Sequence, residues 1–194
     1  MRRTCRTLGV STAIDQLIGD ARLSPRFLRP PATVPILASM TTYQIDERVL
    51  AESPTAVVRA TVGVADMGAF VGPAIGAVAQ ALAGQAKAPA GPPFARFHPR
   101  GGQAFDVEAG FVTAAAITPA GRVQASSLPG GPAAVLTFLG PYAEMEPAYG
   151  ALAEWVAQRG GHVAGDPWEV YFSDPAQQPD PHTWRTEIVM PFDV

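Results

Sequence analysis

The chain has 194 residues, 47% hydrophobic and 16% charged: enough apolar material for one packed domain, and too much for wholesale disorder. Its net charge of −3 is unevenly spread, because residues 1–39 hold six arginines against Asp15 and Asp20, whereas from Met40 onward eight basic side chains face fifteen acidic ones. That acidic body has no basic stripe to neutralise phosphates, which argues against nucleic-acid binding, and the lone Cys5 excludes an internal disulfide or a cysteine-built metal site.

Residues 1–41 read as an extension, disordered or a misassigned start, with proline and arginine concentrated between Pro25 and Pro35. Leu8 to Ile14 faintly suggests the opening of a helix-turn-helix, but no second helical pattern follows to fill a major groove. The N-terminus lacks the apolar run of about 7–15 residues that a secretory signal requires. No stretch approaches the roughly 20 apolar residues that span a bilayer, so the expectation is a cytoplasmic protein without a membrane segment. The domain proper is expected over residues 42–193, opening on the strand-like Tyr43 to Leu50.

Beyond that point one pattern occurs twice. Pro73-Ala-Ile-Gly-Ala-Val-Ala-Gln80 returns as Pro147-Ala-Tyr-Gly-Ala-Leu-Ala-Glu154, and Gly91-Pro-Pro-Phe94 returns as Gly165-Asp-Pro-Trp168, both offset by 74 residues. Ala56-Val-Val58 resembles Ala134-Val-Leu136, and Val107-Glu-Ala109 resembles Thr186-Glu-Ile188, at offsets of 78 and 79. A shared order of strand, helix, Gly-x-Pro-aromatic and glutamate-bearing strand is a repeat signature. The copies span about 54–115 and 132–193. In each, an apolar run (55–62; 132–139) predicts a strand and residues 66–84 or 144–159 predict a helix. In the second helix Tyr149, Leu152 and Val156 fall on one face. Two extended segments follow each helix: Phe94 to His98 with Phe105 to Thr113, then Trp168 to Ser173 with Trp184 to Met190. Residues 114–131 read as the link. The expected class is α+β: duplicated βαββ units related by a pseudo-twofold axis, a mainly antiparallel sheet with helices packed on it, and a cleft between the repeats, where pockets tend to lie.

Two carboxylates stand out. Glu187 precedes Ile188-Val-Met190, and Glu108 holds the corresponding place before Ala109-Gly110-Phe111. A strand disfavours glutamate, and burying one costs several kcal/mol unless it is paired. Spacing leaves two readings open: both glutamates point to solvent from the outer face, or they serve a site. Alternation places Tyr171 on one strand face with Glu169 and Ser173, opposite Trp168 and Phe172, with Phe97 as its counterpart in the first copy. His98, His162 and His182 are dispersed and lack carboxylates at ligand spacing, so neither a metal nor a cofactor is expected. No nucleophile elbow, Walker loop or dinucleotide fingerprint occurs.

Gly140-Pro-Tyr142 with its following helix, Gly165-Asp-Pro-Trp-Glu-Val-Tyr-Phe-Ser-Asp-Pro175 and Thr186-Glu-Ile188…Pro191 together resemble the gyrase-inhibitor-like (GyrI-like) small-molecule-binding domain, also the effector-binding domain of certain AraC- and MerR-type transcription regulators. The resemblance covers about residues 42–193. It implies the same duplicated fold, and a hydrophobic, cationic, drug-like ligand met by Glu187 among aromatic rings. The ligand-binding residues it implies are Glu187, Tyr171, Glu108, Phe97, Tyr142, Trp155 and Trp168. A stand-alone binding or sensing protein is the leading expectation, with no direct nucleic-acid partner and a homodimer left open. Two alternatives accompany it: hydrolysis of strained cyclopropanoid electrophiles, with Glu187 as general base and Tyr171 or Tyr142 positioning water, or service as the effector module of a transcription regulator.

Overall fold

The structure is a computed structural model that describes residues 43–101 and 104–194. The expectations for the extension, including the motif at Leu8 to Ile14, lie outside the described residues.

Among the described residues nine strands form in chain order: β1 (Ile45–Leu50), β2 (Ser53–Gly63), β3 (Pro93–Pro99), β4 (Ala104–Val112), β5 (Gln124–Leu128), β6 (Gly131–Leu139), β7 (His162–Val163), β8 (Trp168–Tyr171) and β9 (Arg185–Asp193). Two helices interrupt them, α1 (Met67–Gly84) and α2 (Glu146–Gln158), each entered through a single 3-10 turn, at Val64–Asp66 and Tyr142–Glu144. The main sheet runs β1-β6-β9-β8-β3-β4-β2-β5, and every pairing in it is antiparallel. The short β7 joins β9 alone. The predicted elements are all present. The segment expected to be only a link adds the edge strand β5, which pairs with β2.

Alternation along the strands divides the core between the two sheet faces. One face carries Val58, Phe97, Val107, Leu136, Ile188 and their neighbours, buried under both helices. The other carries a smaller apolar cluster, Val57, Phe94, Val135, Trp168 and Val189, with no helix over it among the described residues. Helix α1 lies over β2 and β4, and α2 over β6 and β9. The central strands β3 and β8 therefore run between the helices rather than beneath either. They meet in only three register pairs, Phe94↔Val170, Ala95↔Glu169 and Arg96↔Trp168. Beside this seam the Phe97 amide donates to the Pro167 carbonyl at 3.2 Å, and His98 Nδ1 lies 2.7 Å from Asp166 Oδ2.

Two local features follow from residue type. Gly110 faces β2 so closely that a Cβ would sit 1.9 Å from the Ala56 carbonyl oxygen, so only glycine fits this step of β4. Helix α1 continues through Pro73. The 21-residue segment Val64–Gly84 also corrects the expectation that no stretch approaches a membrane span: with a mean hydropathy of 1.4 over 18 of its residues, it is long and apolar enough by length and composition. Valine, isoleucine, leucine, phenylalanine and methionine supply most of that apolarity, and alanine most of the rest. Helix α1 lays Ala74, Val78 and Leu82 on the sheet and turns a glycine-rich side away from it.

Candidate functional site

Between the helices, over β3 and β8, lies a cavity of about 830 Å³. Met67, Val71 and Ile75 of α1 form one wall, together with Gly68, Gly72 and Gly76. The glycines recur every fourth residue and so share a helix face. A Cβ on any of the three would meet nothing within 4 Å, so each leaves room that a side chain would take. Phe97 and Phe105 line the floor, edge to face with ring centroids 6.5 Å apart. Tyr142 and Met145, at the entry to α2, close the opposite side.

The polar centre is Glu169. Its position on β8 turns it to the helix side, where it is 3% exposed and lines the cavity. The Tyr149 hydroxyl, from the buried face of α2, donates to Oε1 at 2.6 Å, and the Tyr171 hydroxyl donates to Oε2 at 2.9 Å. Burial holds the Glu169 pKa above the ordinary carboxylate value, while the two phenol hydrogen bonds pull in the opposite direction. The phenols respond in turn: burial, then the Glu169 carboxylate, push Tyr149 and Tyr171 well above 10. Tyr142 is pushed up to about 12, by burial first and then by Glu169 and Asp174. Tyr142 packs against Tyr171 at 5.6 Å and against Trp184 at 4.9 Å between ring centroids. Hydroxyls that resist ionisation remain hydrogen-bond donors, so this constellation holds a carboxylate in a nearly dry aromatic wall.

Of the residues expected at a site, Tyr171, Phe97 and Tyr142 line this cavity. The other four do not, and for the three on strands, Glu187, Glu108 and Trp168, the pleat explains why. Ile188, Met190 and Phe192 face the helices, so Glu187 and Val189 face the opposite side. There the Glu187 carboxylate accepts from Arg48 at 3.1 Å and from Arg185 at 3.1 Å. Glu108 likewise lies on the helix-free face and accepts from Arg59 Nε at 2.6 Å, with Ser126 beside it. Trp168 is buried on that same face beside Phe94 and Val189. Trp155 packs edge-on to Phe192 at 5.9 Å, and the Arg159 guanidinium sits 3.3 Å above its ring. Each of the two glutamates thus has its charge met by arginine, whereas among the described residues Glu169 has phenols alone. Sequence reasoning passed over Glu169 and the hydroxyl of Tyr149. The available signal was the alternation that set Glu169 beside Tyr171.

The GyrI-like small-molecule-binding domain matches residues 43–193. Among solved structures, the EcmrR C-terminal domain is similar at 22% identity, with a TM-score of 0.66 over 78% of this chain and 98% of that one. In the EcmrR–DNA complex the match covers 80% of this chain but 59% of EcmrR, at 21% identity and a TM-score of 0.67. A hydrolase from Listeria innocua (12% identity, TM-score 0.59, covering 77% and 92%) and SAV2435 bound to tetraphenylphosphonium (12% identity, TM-score 0.53, covering 79% and 94%) share the fold. No curated protein sequence matches the chain.

Proposed function

The chain belongs to the GyrI-like small-molecule-binding domain family, and from that premise we propose that it binds a hydrophobic cation between its helices, with Glu169 as the buried negative pole. The observation that carries this reading is a carboxylate, 3% exposed, held by two phenols in the wall of an apolar cavity. Burying an ionised carboxylate without a countercharge costs several kcal/mol, and the raised Glu169 pKa is the trace of that cost. A lipophilic cation supplies the missing charge. At about 4 Å and an effective dielectric near 20 the attraction is about 4 kcal/mol, and each ring face adds about 0.5–2 kcal/mol. Tetraphenylphosphonium, seen in SAV2435, is the natural probe. Titrated with tryptophan fluorescence as readout, it should bind the wild type saturably. Glu169→Gln should weaken binding by about tenfold, roughly 1.4 kcal/mol, and Glu187→Gln should leave it unchanged. Equal binding by wild type and Glu169→Gln would remove Glu169 from the role, and no binding at all would end the cation reading.

The duplication seen in the sequence is part of this proposal. Residues 74 apart, Ala95 and Glu169, face each other at the centre of the seam, as a twofold between copies would place them. A cytoplasmic location belongs to it too. The relation to EcmrR supports the chain's being an effector-binding module whose occupancy a regulator reads.

A second reading rests on the same group. A carboxylate of raised pKa beside two phenols also suits a general base that activates water against a strained ring, with Glu169 in the place expected of Glu187. Incubation with cyclopropane-bearing electrophiles, followed by mass spectrometry for addition of water, separates the readings. Turnover abolished by Glu169→Gln would make the protein a hydrolase, and its absence leaves a binder.

A further inference from the structure

Among the described residues, the cavity lining contains two carboxylates, Glu169 and Asp174, and no lysine, arginine or histidine. The two differ in setting. Glu169 is buried in the floor, whereas Asp174 is exposed, on the loop that follows β8. Asp174 is nevertheless fixed. Its Oδ1 accepts from the Ala176 amide and its Oδ2 from the Gln177 side-chain amide, both at 2.9 Å, while its backbone carbonyl accepts from the Gln177 and Gln178 amides. Among the described residues no cation pairs with it, and its donors are uncharged amides. Tyr142, which also lines the cavity, feels both acids. Arg185, whose guanidinium lies over the Phe172 ring at 4.2 Å, is paired with Glu187 on the other side of the sheet.

We infer that the cavity is built for a dication: a flat aromatic cation whose ring system sits against Glu169 and the α1 wall, carrying a second positive centre on a short arm that reaches Asp174. This rests on the single-cation reading above and adds to it the number and placement of the ligand's charges. The deep centre is desolvated and dominates the affinity. The outer centre stays wet, so its contribution is smaller and depends on salt. A neutral or anionic arm gains nothing at the mouth.

Ethidium and propidium form a suitable pair, because they share a phenanthridinium ring and differ by a quaternary ammonium on a propyl arm. Isothermal titration at low salt should show propidium binding the wild type at least fivefold more tightly than ethidium. Asp174→Asn, which keeps an acceptor for the Ala176 amide, should bring the ratio to about one while moving ethidium by less than twofold. Glu144→Gln, a nearby exposed carboxylate outside the lining, should leave the ratio intact. Raising the salt should shrink the wild-type ratio and leave that of Asp174→Asn flat. Equal affinities in the wild type, or a ratio that survives Asp174→Asn, would overturn the dication. If ethidium still binds in a Glu169-dependent way, the single-cation reading stands. Binding of neither dye overturns both.

Discussion

The two halves of the molecule, β2–α1–β3–β4 and β6–α2–β8–β9, supply opposite things to one cavity. At the offset of 74 residues, Tyr142, Tyr149, Glu169 and Tyr171 of the second half correspond to Gly68, Ile75, Ala95 and Phe97 of the first. All the hydrogen-bonding chemistry is on one side, and the other contributes space and an apolar wall. A site lined by two parts of one chain need not be symmetric. Here the second half keeps the polar apparatus and the first forms the apolar boundary. Gly68 and Gly72 show this most plainly, since they leave open volume where the turn before α2 and its first residue place Tyr142 and Glu146 at the corresponding positions.

This division can be broken or sharpened by substitution. The largest effect belongs to Gly110, which has no room for a Cβ against β2, whereas Val189, its counterpart at an offset of 79, carries a side chain. Gly110→Val should cost about 3 kcal/mol or more by overpacking, and Val189→Ala roughly 1–2 kcal/mol, both measured by urea denaturation. Next comes the phenol shell. Tyr149→Phe removes a donor from a buried carboxylate and should cost about 1–3 kcal/mol, while Ile75→Leu in the first half should cost less than about 1.5 kcal/mol.

The same change has a pH signature. Glu169 has a raised pKa in the folded protein, so folding favours its protonated form, and its share of apo stability diminishes as pH rises from about 4.5 through that raised value. Binding of a permanent cation has the opposite sign and strengthens as the carboxyl ionises over that interval. Losing the Tyr149 bond should move the binding midpoint to higher pH, and Glu169→Gln should flatten the profile. A profile unchanged by either substitution would place the ligand elsewhere.

A third test addresses the void. Gly72→Leu should leave stability equal or raise it by up to about 1 kcal/mol through helix propensity, yet weaken tetraphenylphosphonium severalfold by occupying the cavity. Glu146→Leu, at the corresponding place on α2, should not weaken it. The smallest effect is expected at Glu187. Its arginine partners are 41% and 46% exposed in their side chains, so Glu187→Gln should change stability by about 1 kcal/mol or less and ligand affinity not at all.

The strand and helix order and the antiparallel sheet were legible because alternation and helical periodicity report local burial directly; of the cavity's aromatic residues, alternation singled out Tyr171, the repeat added Phe97, and Tyr142 came only with the family resemblance. The location of the carboxylate was harder to read. Along Glu187-Ile-Val-Met190 both sheet faces are buried, so alternation no longer separates inside from outside, and an isolated glutamate in such a run looks like a site. The helix-free face has its own apolar cluster, and Arg48 reaches from β1, outside either repeat, to cover Glu187. Neither is visible in a single strand's pattern. β8 has only four residues, Trp168–Tyr171, and its alternation pairs Glu169 with Tyr171 correctly. It gives no indication of which side the helices occupy. Tyr149 was placed on the buried face of α2 by spacing alone, but what its hydroxyl reaches depends on how α2 sits across the sheet.

The seam between β3 and β8 has a consequence of its own. With three register pairs and the helices packed to either side, it is where the sheet is most thinly stitched, and it runs under the cavity. A molecule touching Phe97 on one strand and Glu169 on the next would act as a fastener across that line. Occupancy would then be reported by the whole fold as resistance to heat, worth about 2.7 kcal/mol at a ligand concentration one hundred times Kd.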